Sequence, residues 1–111
     1  MLFRSRNDGK ANGVRFLSKR SLDLMRTNQV GTLHSTTGLG YGLGFETTDR
    51  YGANANGYES AGSYGWAGAY GSTYRIDPQE NLALLMMVQL TPNSTDLRAR
   101  WPSVVYQALD E

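Results

Sequence analysis

Cysteine is absent from the 111 residues of the chain, and histidine occurs once, as His34. The absence of cysteine excludes disulfides and thiolate metal ligands, and it leaves the redox compartment of the protein open. A single histidine argues against a histidine-based metal cage and against a self-contained Ser-His-Asp triad. We therefore expect neither a metal site nor a cofactor in this chain.

Strong net charge and long apolar segments are absent as well. The formal net charge is +1, and the basic residues are scattered apart from Lys19-Arg20, so there is no electrostatic case for nucleic acid or an anionic membrane surface. The longest apolar run, Leu82 to Val88, has seven residues, whereas about 20 are needed to span a bilayer. The opening residues, MLFRSRNDGK, lack the apolar core of a signal peptide. We expect no nucleic-acid partner and no membrane segment, and the compartment stays unassigned.

Glycine is abundant, and one glycine-rich stretch has the spacing of a strand. In TGLGYGLGF, residues 37–45, the glycines from Gly38 to Gly44 alternate with leucine, tyrosine and phenylalanine. A period of two predicts a strand with one bare face and one bulky apolar face. A phosphate-binding G-x-G-x-x-G loop is rejected because the last glycine is out of place and no helix follows.

Local signals also predict a short helix between two loops. Residues 1–17 alternate turn signals with short apolar pairs and are interpreted as loop. Ser18 can cap a helix over residues 19–27. Residues 46–63 are rich in Gly, Asn, Asp and Ser and are interpreted as a long loop, which in a compact domain is usually functional or disordered.

The C-terminal stretch NSTDLRARWPSVVYQALDE predicts a second helix. Asn93 or Ser94 can cap its start, and its apolar residues recur at helical spacing. Pro102 removes a backbone donor and clashes with the preceding turn, so we expect a kink there or a helix that begins near Trp101.

The run LALLMMV predicts a strand that needs a cover. The turn signal Asp77-Pro78 predicts an antiparallel hairpin between Thr73–Ile76 and Leu82–Gln89. The second strand does not alternate, and continuous apolar character is typical of a strand covered on both faces. The chain offers little cover, so this strand could lie at a sheet edge. Either the chain self-associates, or something that covers this strand is missing from it.

Gly65, Gly68 and Gly71 recur at every third residue in SYGWAGAYGSTYRIDP, a spacing that fits neither a strand nor a helix. Glycine weakens a strand interior unless another backbone or a ligand approaches closely. Tight strand pairing with a bulge at Gly68 or Gly71 explains the pattern without a ligand. Both explanations stay open at this point.

The usual settings of a catalytic serine are missing. No serine is followed by lysine at the fourth position, and none lies in G-x-S-x-G. A minimal hydrolase that uses Ser60, Ser63 or Ser72 is the weakest of the functional alternatives. Asp77 and Glu80 flank a turn, and we expect both to be solvated.

The runs GSYGWAGAYGSTYRIDPQENLALLMMVQ, GKANGVRFLSKRSLDLMRTNQVG and DLRARWPSVVYQAL resemble the C-terminal part of the serine β-lactamase-like superfamily. The closest branch is the class C β-lactamase-like esterases, often called family VIII carboxylesterases. The resemblance implies an α+β fold: an antiparallel sheet of three to four strands with a C-terminal helix on one face. Residues 1–111 then form a single partial domain.

The resemblance also assigns residues to a substrate site. Trp66-Ala67-Gly68 matches the third motif of the superfamily, with Ala67 in place of a commoner glycine and Trp66 in place of lysine or histidine. It implies that this strand forms one wall of the active site, with Trp66, Ala67 and Gly68 binding substrate. The backbone N–H of Ala69 would donate to the oxyanion. Because tryptophan stands at position 66 where the lactamases have a basic residue, the resemblance favours an ester-like substrate over a β-lactam recognised by its carboxylate.

The first two motifs of the superfamily, S-x-x-K and Y-x-N, are not found in this chain. The resemblance therefore implies a part of a hydrolase that works through an acyl-serine, with neither nucleophile nor base in these residues and no activity alone. Its expected partners are a small-molecule ester or amide and either a missing N-terminal part of the same fold or further copies of the chain. The alternative is a non-catalytic binding or self-assembly module that uses its apolar strand edge.

Overall fold

A computed structural model describes residues 5–53 and 58–109, which are organised around one antiparallel sheet of five strands. In spatial order the strands are β3 (Leu39–Tyr41), β4 (Glu46–Thr48), β5 (Tyr64–Ala67), β6 (Gly71–Asp77) and β7 (Leu82–Gln89). A separate ribbon pairs β1 (Lys10–Ala11) with β2 (Val14–Arg15), and the helices are α1 (Lys19–Met25) and α2 (Leu97–Gln107). The predicted α+β fold is confirmed, with five strands in the main sheet instead of three or four.

The ribbon corrects the prediction of loop over residues 1–17. Asn12 and Gly13 connect its two strands, and both have positive φ, 51° and 77°. Asn-Gly with two positive φ angles is typical of a type I′ hairpin turn, whose twist matches that of the strands it joins. Residues 1–4 of this prediction lie outside the described residues.

The stretch TGLGYGLGF is not one strand. The chain leaves β3 after Tyr41 and turns, with the N–H of Gly42 donating to the carbonyl oxygen of Phe45 at 2.8 Å. A Cβ at Gly42 would overlap the Met25 carbonyl oxygen, so this position must stay bare for the chain after α1 to pack here. β4 then follows inside the region predicted as loop, where residues 54–57 lie outside the described residues.

One face of the sheet packs on α1. Phe45, Tyr64 and Ile76 form the buried centre of this layer, and Met25 of α1 packs against them. The predicted cap of α1 is confirmed, because the Ser18 side chain accepts a hydrogen bond from the N–H of Ser21 at 3.0 Å. The helix ends at Met25, earlier than predicted.

The other face carries α2. The Tyr106 hydroxyl donates to Asp77 Oδ2 at 2.7 Å, and the two side chains are 8% and 0% exposed. The other Asp77 oxygen accepts hydrogen bonds from the backbone N–H groups of Gln79 and Glu80 in the β6–β7 turn. The expectation that Asp77 is solvated is therefore wrong, because this carboxylate holds both the turn and the helix.

The start of α2 also differs from the prediction. The helix begins at Leu97 with Asp96 at the N-cap position, and it runs through the buried Pro102. The side chain of Asn93 instead accepts from the N–H of Thr95, which makes a turn ahead of the helix. The kink at Pro102 stays a prediction.

The predicted β6–β7 hairpin is confirmed, and its register shifts between Gly71 and Thr73, as expected for a bulge near Gly71. β7 lies at the edge of the sheet and pairs with β6 alone among the described strands. Leu84 is buried, whereas Leu85 is 46% and Met87 82% exposed. Within the described part of the chain, neither helix is long and apolar enough to cross a bilayer.

We expect Tyr106→Phe to lower the free energy of unfolding at neutral pH by about 1.5–3 kcal/mol. The substitution removes a donor to a buried carboxylate and keeps the aromatic ring. Urea unfolding of the 111-residue chain measures the change. Tyr70→Phe is the matched control, because Tyr70 is 57% exposed, and it should change stability by less than about 0.5 kcal/mol.

The difference between the native chain and Tyr106→Phe should shrink in alkali. Burial, and then the hydrogen bond to Asp77, raises the pKa of Tyr106 above the usual 10.0. In the unfolded chain this tyrosine ionises at its usual pKa, so the stabilisation is complete below about pH 10 and is lost as the pH rises above it. A difference that stays constant from neutral pH to about pH 11 would contradict this account.

Candidate functional site

The free edge of β5 is the first feature of the candidate site. β5 pairs with β4 only through Tyr64 and Gly65, whereas its pairing with β6 continues to Ala67. The N–H of Gly68 donates to the Ser72 carbonyl oxygen at 2.8 Å and therefore faces β6. Adjacent residues of an antiparallel strand face opposite edges, so the peptide groups of Ala67 face the edge that β4 leaves open. An extended ligand can bind such an edge through its main chain or carbonyl groups.

The turn after β5 carries the expected oxyanion donor. The N–H of Gly71 donates to the Gly68 carbonyl oxygen at 3.2 Å and closes the turn. Ala69 lies exposed at its tip, and within residues 5–53 and 58–109 no backbone group accepts a hydrogen bond from its N–H. The fold does not use the donor that the sequence resemblance singles out.

The three regularly spaced glycines have different causes. A Cβ at Gly65 would overlap the Tyr74 carbonyl oxygen and crowd the Arg75 side chain, which crosses β5 at this point. Gly71 has a φ of 97° and lies against the Asn93 side chain. A Cβ added at Gly68 would come no closer than 3.8 Å to its nearest neighbour, the Ser72 carbonyl oxygen, and φ is not positive there. The fold thus requires glycine at the first and third positions and leaves open space at the second.

Trp66 stands beside the free edge. Its side chain is 43% exposed, and its ring packs edge to face on Tyr41, with centroids 5.2 Å apart and planes at 90°. The His34 ring lies 5.5 Å from Tyr41 and 6.5 Å from Trp66, centroid to centroid. Together the three rings form an aromatic cluster beside Glu46, the first residue of β4.

A buried ionic network lies behind this aromatic cluster. Arg75 donates to Glu46 Oε1, while Glu46 Oε2 lies 2.8 Å from His34 Nε2. The Nε of Arg75 also pairs with Glu59 Oε1 at 3.3 Å, and the Arg75 and Glu59 side chains are only 9% and 1% exposed. Thr48 and Ser63 donate to the second Glu59 oxygen. One guanidinium therefore bridges two carboxylates and ties β4, β6 and the chain before β5 together.

Sequence reasoning missed this network. Arg75 and Asp77 alternate with Tyr74 and Ile76 in a predicted strand, which puts two charges on one face of the sheet. That pattern was a usable signal for a buried polar layer. The partner Glu59 gave no local signal, because it lies in irregular chain.

An apolar groove of about 430 Å³ opens on the face of the sheet opposite the ionic network. Trp66, Tyr74 and Leu85 lie directly opposite one another on β5, β6 and β7. Phe45 and the largely exposed Met87 complete the apolar lining. The groove offers dispersion contacts and few polar ones.

The three serines that could have formed a minimal hydrolase are occupied or buried. Ser60 and Ser63 are 4% and 0% exposed, and Ser63 donates to Glu59. The Ser72 hydroxyl donates to the Val88 carbonyl oxygen and accepts from its N–H, both at 3.0 Å. In the described part of the chain none of the three hydrogen-bonds a lysine or His34, and the Glu59 carboxylate that accepts from Ser63 is buried and already paired with Arg75.

The antiparallel sheet with a C-terminal helix is consistent with the β-lactamase-like fold. The family described as Beta-lactamase matches residues 4–109, and the chain belongs to this family. The inferred membership of the serine β-lactamase-like superfamily is thereby confirmed.

Two curated proteins of Mycobacterium tuberculosis are similar to this chain. They are "Uncharacterized protein MT1414" of strain CDC 1551 / Oshkosh and "Protein Rv1367c" of strain ATCC 25618 / H37Rv. Each is 34% identical over 97 residues, which cover 78% of this chain and 24% of the relative. The chain spans about a quarter of the length of these relatives.

The glycine assignment gives a paired test. Gly65→Ala should lower the free energy of unfolding by about 1–3 kcal/mol, because its Cβ overlaps backbone and the strands must move apart. Gly68→Ala should change it by less than about 0.5 kcal/mol, because its Cβ makes ordinary contacts. Urea unfolding of both variants measures the contrast. Equal losses in the two variants would contradict the assignment.

Proposed function

We propose that this chain forms the substrate-facing wall of a serine hydrolase that cleaves esters or amides through an acyl-serine. The observation that carries the proposal is the free edge of β5, which ends in the unused N–H of Ala69. Membership of the β-lactamase family supports the class of chemistry, and the free β5 edge supports the proposed role of these residues in it.

The proposed ligand lies along β5 with its carbonyl group towards the turn. The Ala67 peptide group orients it, and the Ala69 N–H donates to the carbonyl oxygen as that oxygen becomes an oxyanion. Such a donor contributes about 3–4 kcal/mol to the transition state in a pre-organised site. The open space at Gly68 leaves room for the ligand where a larger side chain would fill it.

Trp66 bears on the choice of substrate. Its indole is apolar and carries no charge, so it favours an ester or amide with an apolar group over a ligand recognised by its carboxylate. The nearest cation of the ionic network, Arg75, is already bridging Glu46 and Glu59. These contacts leave it poorly suited to bind a ligand carboxylate.

The nucleophile is proposed to come from outside the described residues. Ser60 and Ser63 are buried, the Ser72 hydroxyl is bonded to the Val88 backbone, and among the described residues none of the three hydrogen-bonds a lysine or His34. The apolar groove and the free edge of β7 are where the rest of such a hydrolase would pack. The chain by itself is then expected to bind a small ester without cleaving it.

Two experiments on the purified chain test this proposal. Treatment with a fluorophosphonate serine-hydrolase probe should give no adduct by intact mass, and heat-denatured chain serves as the control. An adduct that heat denaturation abolishes would reveal an activated serine within the chain and would contradict the proposed division of roles.

The second experiment titrates the ¹⁵N-labelled chain with phenyl acetate, a neutral aryl ester. The amide signals of Gly68 and Ala69 should shift, and Gly68→Val should abolish these shifts by filling the space beside the turn. Ala69→Gly is the matched control, because it keeps the N–H and should retain binding. Shifts confined to Leu85 and Met87 would favour the groove as the ligand site and contradict the proposed wall.

A non-catalytic self-assembly module is the second candidate, and the exposed apolar edge strand β7 favours it. Unpaired edges without charged guards are templates for pairing with another chain. Sedimentation equilibrium distinguishes the two candidates. A defined dimer that Met87→Lys dissociates would favour self-assembly, whereas non-specific association without a fixed stoichiometry fits a wall awaiting the rest of a hydrolase.

A further inference from the structure

The proposed function gives His34 no role, although its side chain lies beside one end of the proposed substrate-facing wall. The ring contacts Tyr41 of β3, Glu46 of β4 and Trp66 of β5. Glu46 is the first residue of β4 and pairs with Gly65. Beyond this pair β5 has no partner on the β4 side, and its edge is free. The side chain is 29% exposed, which leaves the imidazole accessible to a ligand on that edge.

The orientation of the imidazole is fixed from behind. His34 Nε2 lies 2.8 Å from Glu46 Oε2, and Arg75 holds the other oxygen of the same carboxylate. Because Glu46 is anchored to the buried Arg75, it cannot follow a rotation of the ring. The second ring nitrogen, Nδ1, makes no hydrogen bond with any residue that the structure describes.

We propose that His34 contacts the ligand of the β5 edge through Nδ1 and donates a hydrogen bond to an ester or amide oxygen when the imidazole is protonated. The inference rests on the proposed function, and it names the His34 imidazole as a group that recognises an uncharged oxygen of the substrate. A neutral imidazole that donates to Glu46 through Nε2 leaves Nδ1 as an acceptor. An ester has only acceptors, so the neutral form cannot bind it in this way.

Three neighbouring side chains face the ring, and the one described hydrogen bond goes to Nε2, which leaves Nδ1 to a ligand. Glu46 faces the ring from β4, the Tyr41 ring from β3 and the neutral Trp66 from β5. Arg75 lies on the far side of Glu46. Carboxylates and tyrosines ordinarily titrate outside the range from about pH 5.5 to 8, where imidazoles change charge.

The assignment of a pH effect is simplified because the chain has one histidine. The α-amino group is the other ordinary group that titrates in this range. The phenyl acetate ligand carries no ionisable group. Any change in its affinity between about pH 5.5 and pH 8 that disappears with His34 therefore belongs to this side chain.

The test measures phenyl acetate affinity from the Gly68 and Ala69 amide shifts at about pH 5.5 and pH 8. We expect binding to be about fivefold to tenfold tighter at the lower pH, as for a hydrogen bond that gains a charged donor. In His34→Gln the affinity should be the same at both pH values and close to that of the native chain at pH 8. Tyr41→Phe is the control, because it keeps the aromatic ring and should retain the pH dependence.

The outcomes separate this inference from the proposed function. Amide shifts with equal affinity at both pH values, or pH dependence that survives in His34→Gln, would overturn the role of His34 and leave the wall intact. Absence of shifts at Gly68 and Ala69 at both pH values would overturn the proposed wall and the role of His34 with it. Retained amide spectra in His34→Gln establish that the variant is folded.

Discussion

The sheet depends on the Arg75 guanidinium, which bridges Glu46 and Glu59 inside the protein. Burial of each charge costs several kcal/mol, and good geometry with additional donors is needed to offset that cost. The second oxygen of Glu59 has those donors in two hydroxyl groups. A shift in the register of β4 or β6 would separate the charges, so the network favours the observed strand alignment.

The path of the Arg75 side chain explains the sequence of β5. To reach Glu46 from β6, the side chain must pass over β5, and it does so at Gly65. The same carboxylate then holds His34 against Trp66 at the free edge. The groups that we propose contact the ligand are therefore connected through hydrogen bonds and ring packing to the buried Arg75 network, which pre-organises them.

Local sequence predicted the elements whose signals are local. The Ser18 cap and the hairpin around Asp77-Pro78 each rest on a few neighbouring residues, and both were found. β4 was missed because it is only three residues long, and it is held by pairing on both sides and by the hydrogen bond from Arg75 to the Glu46 carbonyl oxygen. Trp66 to Ala69 were predicted as site residues from the family resemblance alone, whereas the His34–Glu46 pair is built by residues 12 apart in sequence and could not be inferred from spacing.

The open part of the β5 edge and the edge strand β7 differ in chemistry, and the difference suits them to different occupants. The β5 edge ends in glycine and an exposed turn, with aromatic rings and an imidazole beside it, which suits a small ligand with polar atoms. The β7 edge is apolar from Leu82 to Val88 and has no charge or proline along that stretch, and its one register shift lies between Met86 and Gln89. Strands that face water are normally guarded by such features. The composition of β7 therefore suits a strand with a neighbour, and a second strand on this edge would pair its free backbone groups without obstructing the wall at β5.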